Sequence, residues 1–263
     1  MISVYGHRAS MVSFSGILAV VIAYGNSATG WDILYNAAFI MCGALFYLLI
    51  AVLFYKIRPH RFVELQVAQC IELTSEYLKL RGDLWNVEAD REAIIKKQLG
   101  LQVQLNAIHE NLREILLRNR SQSGSTNQNR KMLIVFDNLL EIMELALSTS
   151  FDHNKFRAQF SGFPEVIQSY QKLAHHLSFA LKDLGYAIEM GKKYESPFQL
   201  FSDLEQLELS IERYRKLDEA SQNLEAILML ATMRDYAEKQ VEKVRVVQKA
   251  FTLATQSIEY KGV

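Results

Sequence analysis

The chain has 263 residues, 29 Lys+Arg balanced by 29 Asp+Glu, half of its residues hydrophobic, and only 3 Pro and 12 Gly. Zero net charge argues against the basic surface by which most nucleic-acid-binding proteins hold their targets. Two cysteines exclude a disulfide-stapled scaffold, and 22% charged residues amid so much apolar content exclude intrinsic disorder. So little Pro and Gly also leaves few turn signals for a fold of many short strands, which favours long helices.

The overall balance hides an asymmetry. Before Lys56 the only charged residues are Arg8 and Asp32, and all others follow. The chain therefore divides into a membrane part, residues 1–57, and a soluble part, residues 58–263.

In chain order, Ala9 to Tyr24 is a short apolar segment of 16 residues that carries Ser10, Ser13, Ser15 and Gly16. As a helix it is about 24 Å long; its serines can bond back to their own helix and its small residues permit close packing. A signal peptide is the competing reading, since His7 and Arg8 precede it. A second, longer apolar segment follows within a few residues, and no clear small-residue cleavage site intervenes, which favours a helical hairpin. The turn-rich octet Gly25-Asn26-Ser27-Ala28-Thr29-Gly30-Trp31-Asp32 links the two. Ile33 to Tyr55 is a run of 23 residues with Asn36 as its only strongly polar side chain. Its helical length of about 34 Å covers a hydrocarbon core of about 30 Å. His7 and Arg8 at one end, and Lys56, Arg58, His60 and Arg61 at the other, place both ends in the cytoplasm by the positive-inside rule. Trp31 and Tyr55 are the best-placed interface anchors, and Arg58-Pro59 ends the second span.

Five apolar stripes at helical spacing follow. They are Val63, Val67, Cys70, Thr74 and Tyr77; Leu101, Leu105, Ile108, Leu112 and Ile115; and Met132, Phe136, Leu139, Met143 and Ala146. The fourth holds Val166, Tyr170, Leu173, Leu177, Ala180 and Leu184. The fifth begins Leu200, Leu204, Leu207, Ile211 and Tyr214, then drifts through Leu217, Leu224, Leu228 and Ala231. A last helical stretch, roughly residues 236–256, carries Val241, Val244, Val247 and Leu253. Alternating steps of three and four mark helices packed side by side, as in bundles or antiparallel coiled coils. Asn119 to Arg130 has no apolar side chain and is expected to be a flexible loop. Gly162 with Pro164, and Ser196-Pro197, separate later helices. The expected fold class is all-α: a transmembrane helical hairpin followed by a cytosolic bundle of long amphipathic helices.

Candidate chemistry is sparse. His175 and His176 are adjacent, so on a helix they point about 100° apart and do not share an ion comfortably, and neither has a Cys or His partner at i+3 or i+4. Cys42 and Cys70 read as packing residues. Asp152-His153 lacks an accompanying nucleophile or glycine-rich loop and reads as a helix cap or surface turn. Asn36 reads as a contact between membrane helices. No catalytic, cofactor or metal site is expected, the substrate-binding residues are unknown, and two membrane helices alone enclose no translocation path.

Several segments together carry a resemblance. They are Gly6-His7-Arg8 with the short span; Leu34-Tyr35-Asn36-Ala37 with Gly43, Leu45, Phe46 and Tyr47; and the exit Arg58-Pro59-His60-Arg61. Cys70 with Glu76-Tyr77-Leu78-Lys79, and Ser148-Thr149-Ser150-Phe151-Asp152-His153, continue the series in order. The chain thereby resembles the YccS/YhfK-like branch of the fusaric-acid-resistance (FUSC) superfamily of bacterial inner-membrane proteins, with His60 and Phe62 departing from its junction pattern. The resemblance implies membrane helices, a cytosolic helical region and a second membrane group, in proteins regarded as exporters related to aromatic-acid efflux proteins. By that comparison the chain is similar to the end of the first membrane group plus the middle cytosolic region. The expected function is that of a fragment or truncated member of this transporter family, its cytosolic helices serving assembly or regulation. Its partners are then the lipid bilayer and the remaining membrane helices of a longer chain or a homo-oligomer, with no nucleic acid. The alternative is a membrane-anchored helical scaffold or sensor that binds a partner protein. An enzyme is not expected.

Overall fold

The structure is a computed structural model that describes residues 14–18, 21, 30–57, 61–86, 89–123, 127–148, 152–192, 194, 198–217 and 223–259. Among these the regular structure is helical, with no strand. The chain divides into two compact units, Met1–Pro59 and His60–Val263.

In the first unit, helix α1 spans Trp31–Ile57. It has apolar side chains on every face, and they are exposed: Leu34, Phe39, Phe46 and Leu49 are examples. Trp31–Ile50 is the one segment among the described residues long and apolar enough to cross a bilayer. The short first span of the expected hairpin lies mostly outside the described residues; residues 14–18 and 21 are helical. The Arg58-Pro59-His60 exit lies outside them too.

The second unit holds seven helices with defined bounds: α2 Arg61–Asp83, α3 Arg91–Ser123, α4 Asn127–Ser148, α5 His153–Gln159, α6 Pro164–Met190, α7 Leu200–Arg215 and α8 Leu224–Glu259. Local chemistry sets several of their ends. Asp90 Oδ1 accepts the Ala93 amide at the start of α3, and Asn223 Oδ1 does the same for Ala226 at the start of α8. Pro164 opens α6, where its missing N–H costs nothing. Gly191, at φ 64°, closes α6: its amide and that of Lys192 return to the carbonyls of Ile188 and Ala187.

Cross-helix contacts fix the directions of the long helices. Gln102 Nε2 bonds Tyr77 Oη at 2.9 Å and Asn111 Nδ2 bonds Gln66 Oε1 at 3.2 Å, so α3 runs antiparallel to α2. Ser178 Oγ donates to the Ser75 carbonyl at 2.7 Å, while Arg61 reaches Ile188, so α6 is antiparallel to α2 as well. Glu165–Arg213 with Lys172–Gln206 opposes α7 to α6, and Arg234–Glu208 with Arg245 over Phe201 opposes α8 to α7. Lys131 over Phe251, with Glu141–Lys243, opposes α8 to α4. Helices α2, α4 and α7 therefore run one way, and α3, α6 and α8 the other.

The stripes form the shared core. Val67, Leu105, Leu112, Leu139, Leu173, Leu184 and Leu207 are essentially without solvent contact, each buried side chain being worth about 1.5–3 kcal/mol. Leu101 and Ile115 sit half-buried at its margin. Three expectations change. The polar stretch 119–130 is not one long loop: α3 continues to Ser123 and α4 starts at Asn127. Polar residues without Pro are free to remain helical where a helix is already propagating, since adding a residue is far easier than nucleating a turn. The fifth stripe does not drift onward, because α7 ends at Arg215; Leu217, Leu224 and Leu228 are exposed. The last helix starts at Leu224, ahead of residue 236, and buries Ala226, Leu230, Met233, Ala237, Val241, Val244 and Val247. Ser196-Pro197 lies outside the described residues.

Candidate functional site

The end of the bundle opposite Arg61 is closed by rings. Trp85 lies edge-on to Phe156 and Tyr170, with centroids at 5.2 and 5.0 Å, and Phe160 meets Tyr214 at 5.0 Å. Asp152 caps α5 by accepting the amides of Asn154 and Lys155, both at 3.0 Å, and His153 packs on Trp85 at 4.7 Å. The Asp152-His153 pair is thus spent on a cap and an aromatic contact. Helix α5 and Trp85 form no apolar stripe, being short or solitary, although Phe156 and Phe160 stand at the helical i, i+4 spacing.

His175 and His176 part company, as adjacent helical positions must. His175 Nε2 stands 2.8 Å from Asp83 Oδ1 at the end of α2, and His176 Nδ1 stands 2.6 Å from Asp203 Oδ2 in the first turn of α7. Lys172 Nζ shares the Asp203 carboxylate at 3.3 Å. A methyl group on Gly82 would come within 2.7 Å of the His175 ring, so the bare glycine makes room for it. The two imidazoles tie α6 to a neighbour on each side. Their carboxylate partners were missed; the available signal was Asp203, an acid set among Leu200, Leu204 and Leu207.

A second polar knot lies deeper. The Tyr170 and Tyr236 hydroxyls are both pushed up by burial, Tyr236 to about 12, and Arg81 beside them partly offsets this. Gln240 donates to Tyr236 Oη at 2.8 Å. These phenols therefore stay neutral near pH 7 and act as hydrogen-bonding wedges. Cys70 is fully buried on α2; burial pushes its thiol up to about 12, which leaves it a packing residue. Cys42 is exposed on α1, as is Asn36. His109 packs edge-on to Phe136 at 5.9 Å, and burial lowers its pKa.

The end of the bundle that receives the chain from α1 is built differently. The Arg61 guanidinium bonds the Ile188 carbonyl at 2.8 Å and also the Glu189 carbonyl, closing the C-terminus of α6 with a cation where the helix dipole is negative. The starts of α2 and α4 and the ends of α3, α6 and α8 gather here, as the antiparallel pairings require.

Among the described residues no group of His, Cys, Asp and Glu could hold a metal. An open groove of about 340 Å³ lies between α6 and α7, lined by Glu165, Lys172, Gln206 and Arg213 among others. Its mixed charges and open form suit solvent better than a small apolar ligand.

An exposed apolar helix of membrane length followed by an antiparallel bundle, with side-chain contacts that hold helices together, gives an all-α architecture among the described residues. Residues 1–241 match the sequence profile of the family described as FUSC-like inner membrane protein yccS, and the chain belongs to that family. No curated protein and no solved structure matches it.

Proposed function

We propose that the chain is part of an inner-membrane transporter of the efflux type, in which the helical bundle serves assembly or gating and catalyses no reaction. Residues 1–57 form a hairpin through the bilayer, both ends of the chain lie in the cytoplasm, and the lipid, further membrane helices or a second copy complete the path. The observation that carries this reading is the gathering of helix ends: the chain enters the bundle at Arg61, and α8 returns to the same end, Phe251 lying against Lys131 near Glu64. A bundle whose entry and return coincide suits an insertion between membrane segments.

The test is accumulation of a labelled aromatic carboxylate in cells with and without the natural gene. Lower accumulation in the presence of the gene is expected, and equal accumulation overturns the efflux reading. A second reading, a membrane-anchored scaffold that binds a partner protein, is favoured by Ile95, Leu99 and Val103. They stand exposed at four-residue spacing on one face of α3. A photo-crosslinker at Val103 in whole membranes then traps a specific partner; recovery of monomer alone ends that reading.

A further inference from the structure

Helix α3 carries two stripes. One faces the core through Leu105, Ile108 and Leu112. The other lies on the opposite side and is exposed; it runs in alternating steps of four and three from Glu92 through Leu99 and Val103 to Leu117. That spacing is a heptad repeat, the pattern of a helix face that packs on another helix. Leu99 and Val103 are more than half exposed, and Ile95 stands exposed beside them. A methyl group added to Gly100 would meet no neighbouring element within 4 Å, so the middle of this side of the helix is open.

The charges on the stripe decide what covers it. Glu92 and Lys96 precede its apolar centre, Glu110 and Arg113 follow it, and all four are exposed. When a second α3 is turned end over end about Val103, Lys96 falls level with Glu110 of the second copy, and Glu92 with its Arg113. Two-fold symmetry makes each of these pairings twice, and they bracket Ile95, Leu99 and Val103. Further out, Arg91 comes level with Glu114 of the second copy, so the ends match as well. A parallel copy would instead set Lys96 on Lys96 and Glu110 on Glu110, and like charges so placed repel. We infer that the exposed face of α3 binds a second copy of this chain, antiparallel and centred on Val103. Complementary charge fixes the direction and the register, and the apolar centre supplies the burial. One helix face against its own copy buries less than about 1,200 Å², so the dimer forms and dissociates with concentration. The inference rests on the assembly role proposed for the bundle and names the partner. Every residue it uses lies on α3.

The test uses the full chain in detergent, in a Cys42→Ala background, carrying either Val103→Cys or Leu117→Cys; Cys70 is fully buried. In the antiparallel pair the two thiols at position 103 meet. Position 117 is far from the centre, and at about 1.5 Å per residue its two copies stand about 42 Å apart. A disulfide needs Cα atoms within about 7 Å. Mild oxidation is expected to give a covalent dimer with Val103→Cys and monomer with Leu117→Cys. Dimer at both positions marks a parallel pair and overturns the inference, as does monomer at both. Charge reversal supplies a second readout. Lys96→Glu and Glu110→Lys are each expected to cut the yield of the position-103 dimer about tenfold, because each sets like charges opposite twice. Mixing the two variants is expected to restore it, since each then offers the charge the other lacks, and recovery shows that both are folded. A mixture that stays monomeric overturns the inference. Light scattering of the unoxidised chain over a concentration series reports assembly by any surface. An oligomer that forms without the position-103 bond overturns this inference alone, whereas a monomer at every concentration overturns the assembly reading with it.

Discussion

Two carboxylates on either side of α6 do similar work at different depths. Asp203 is almost fully enclosed and serves both His176 and Lys172, whereas Asp83 is about one-third exposed and pairs with His175. Asp203→Asn keeps the shape but removes the shared charge, and a loss of about 1–3 kcal/mol is expected from thermal or urea unfolding in detergent. Asp83→Asn is expected to cost less than about 1 kcal/mol, because water screens an exposed pair. His109 gives a pH dependence of known sign. Burial holds its pKa below the ordinary value of about 6.5. Below that value the unfolded chain takes up a proton that the folded one resists. The stability tied to the neutral ring is therefore complete above about pH 6.5 and is lost as pH falls through it. His109→Leu is expected to narrow the difference between unfolding midpoints at pH 7.5 and 5.5. None of these pairings was legible beforehand: the sequence marks each His and Asp, but the contacts join residues tens of positions apart.

At the scale of the helix, the period-3.6 signal succeeded wherever a stripe met a neighbour on one side. All of Val63, Val67, Cys70, Thr74 and Tyr77 are buried, as are Leu200, Leu204, Leu207, Ile211 and Tyr214. It failed between residues 215 and 230. There, leucines at helical spacing suggested one continuing face, while α8 begins anew in a different rotation. The two registers predict opposite results. Leu230→Ala is expected to cost about 2–5 kcal/mol by opening a cavity at a fully buried site. Leu228→Ser, on an exposed face, is expected to stay within about 0.5 kcal/mol. Equal losses at both positions would favour the continuous stripe. Arg61 belongs to this scale as well, since it closes the end of α6. Arg61→Gln is expected to lower the unfolding midpoint by an equivalent of about 1–2 kcal/mol and to speed hydrogen exchange around residues 188–192.

For the whole molecule, the proposed topology makes a two-sided prediction. In a Cys42→Ala background, a cysteine at Ser27 is expected to react with an impermeant thiol reagent added outside intact cells. One at Ser121 is expected to react only after the inner face is opened. Labelling of Ser121 from outside would invert the arrangement. Hydropathy by itself determined the membrane-length helix, the all-α class and most of the core. These follow from local composition and periodicity, which a chain carries whatever its partners. The family was legible too, through short motifs in a fixed order, while the seven-residue α5 and the extension of α3 through polar residues were not. Only the tertiary structure decided which helices oppose one another, which carboxylate each histidine meets, and that the entry at Arg61 and the return of α8 share one end of the bundle. Those choices depend on which faces bury the most apolar surface together, a sum over pairs of distant segments that no local window contains.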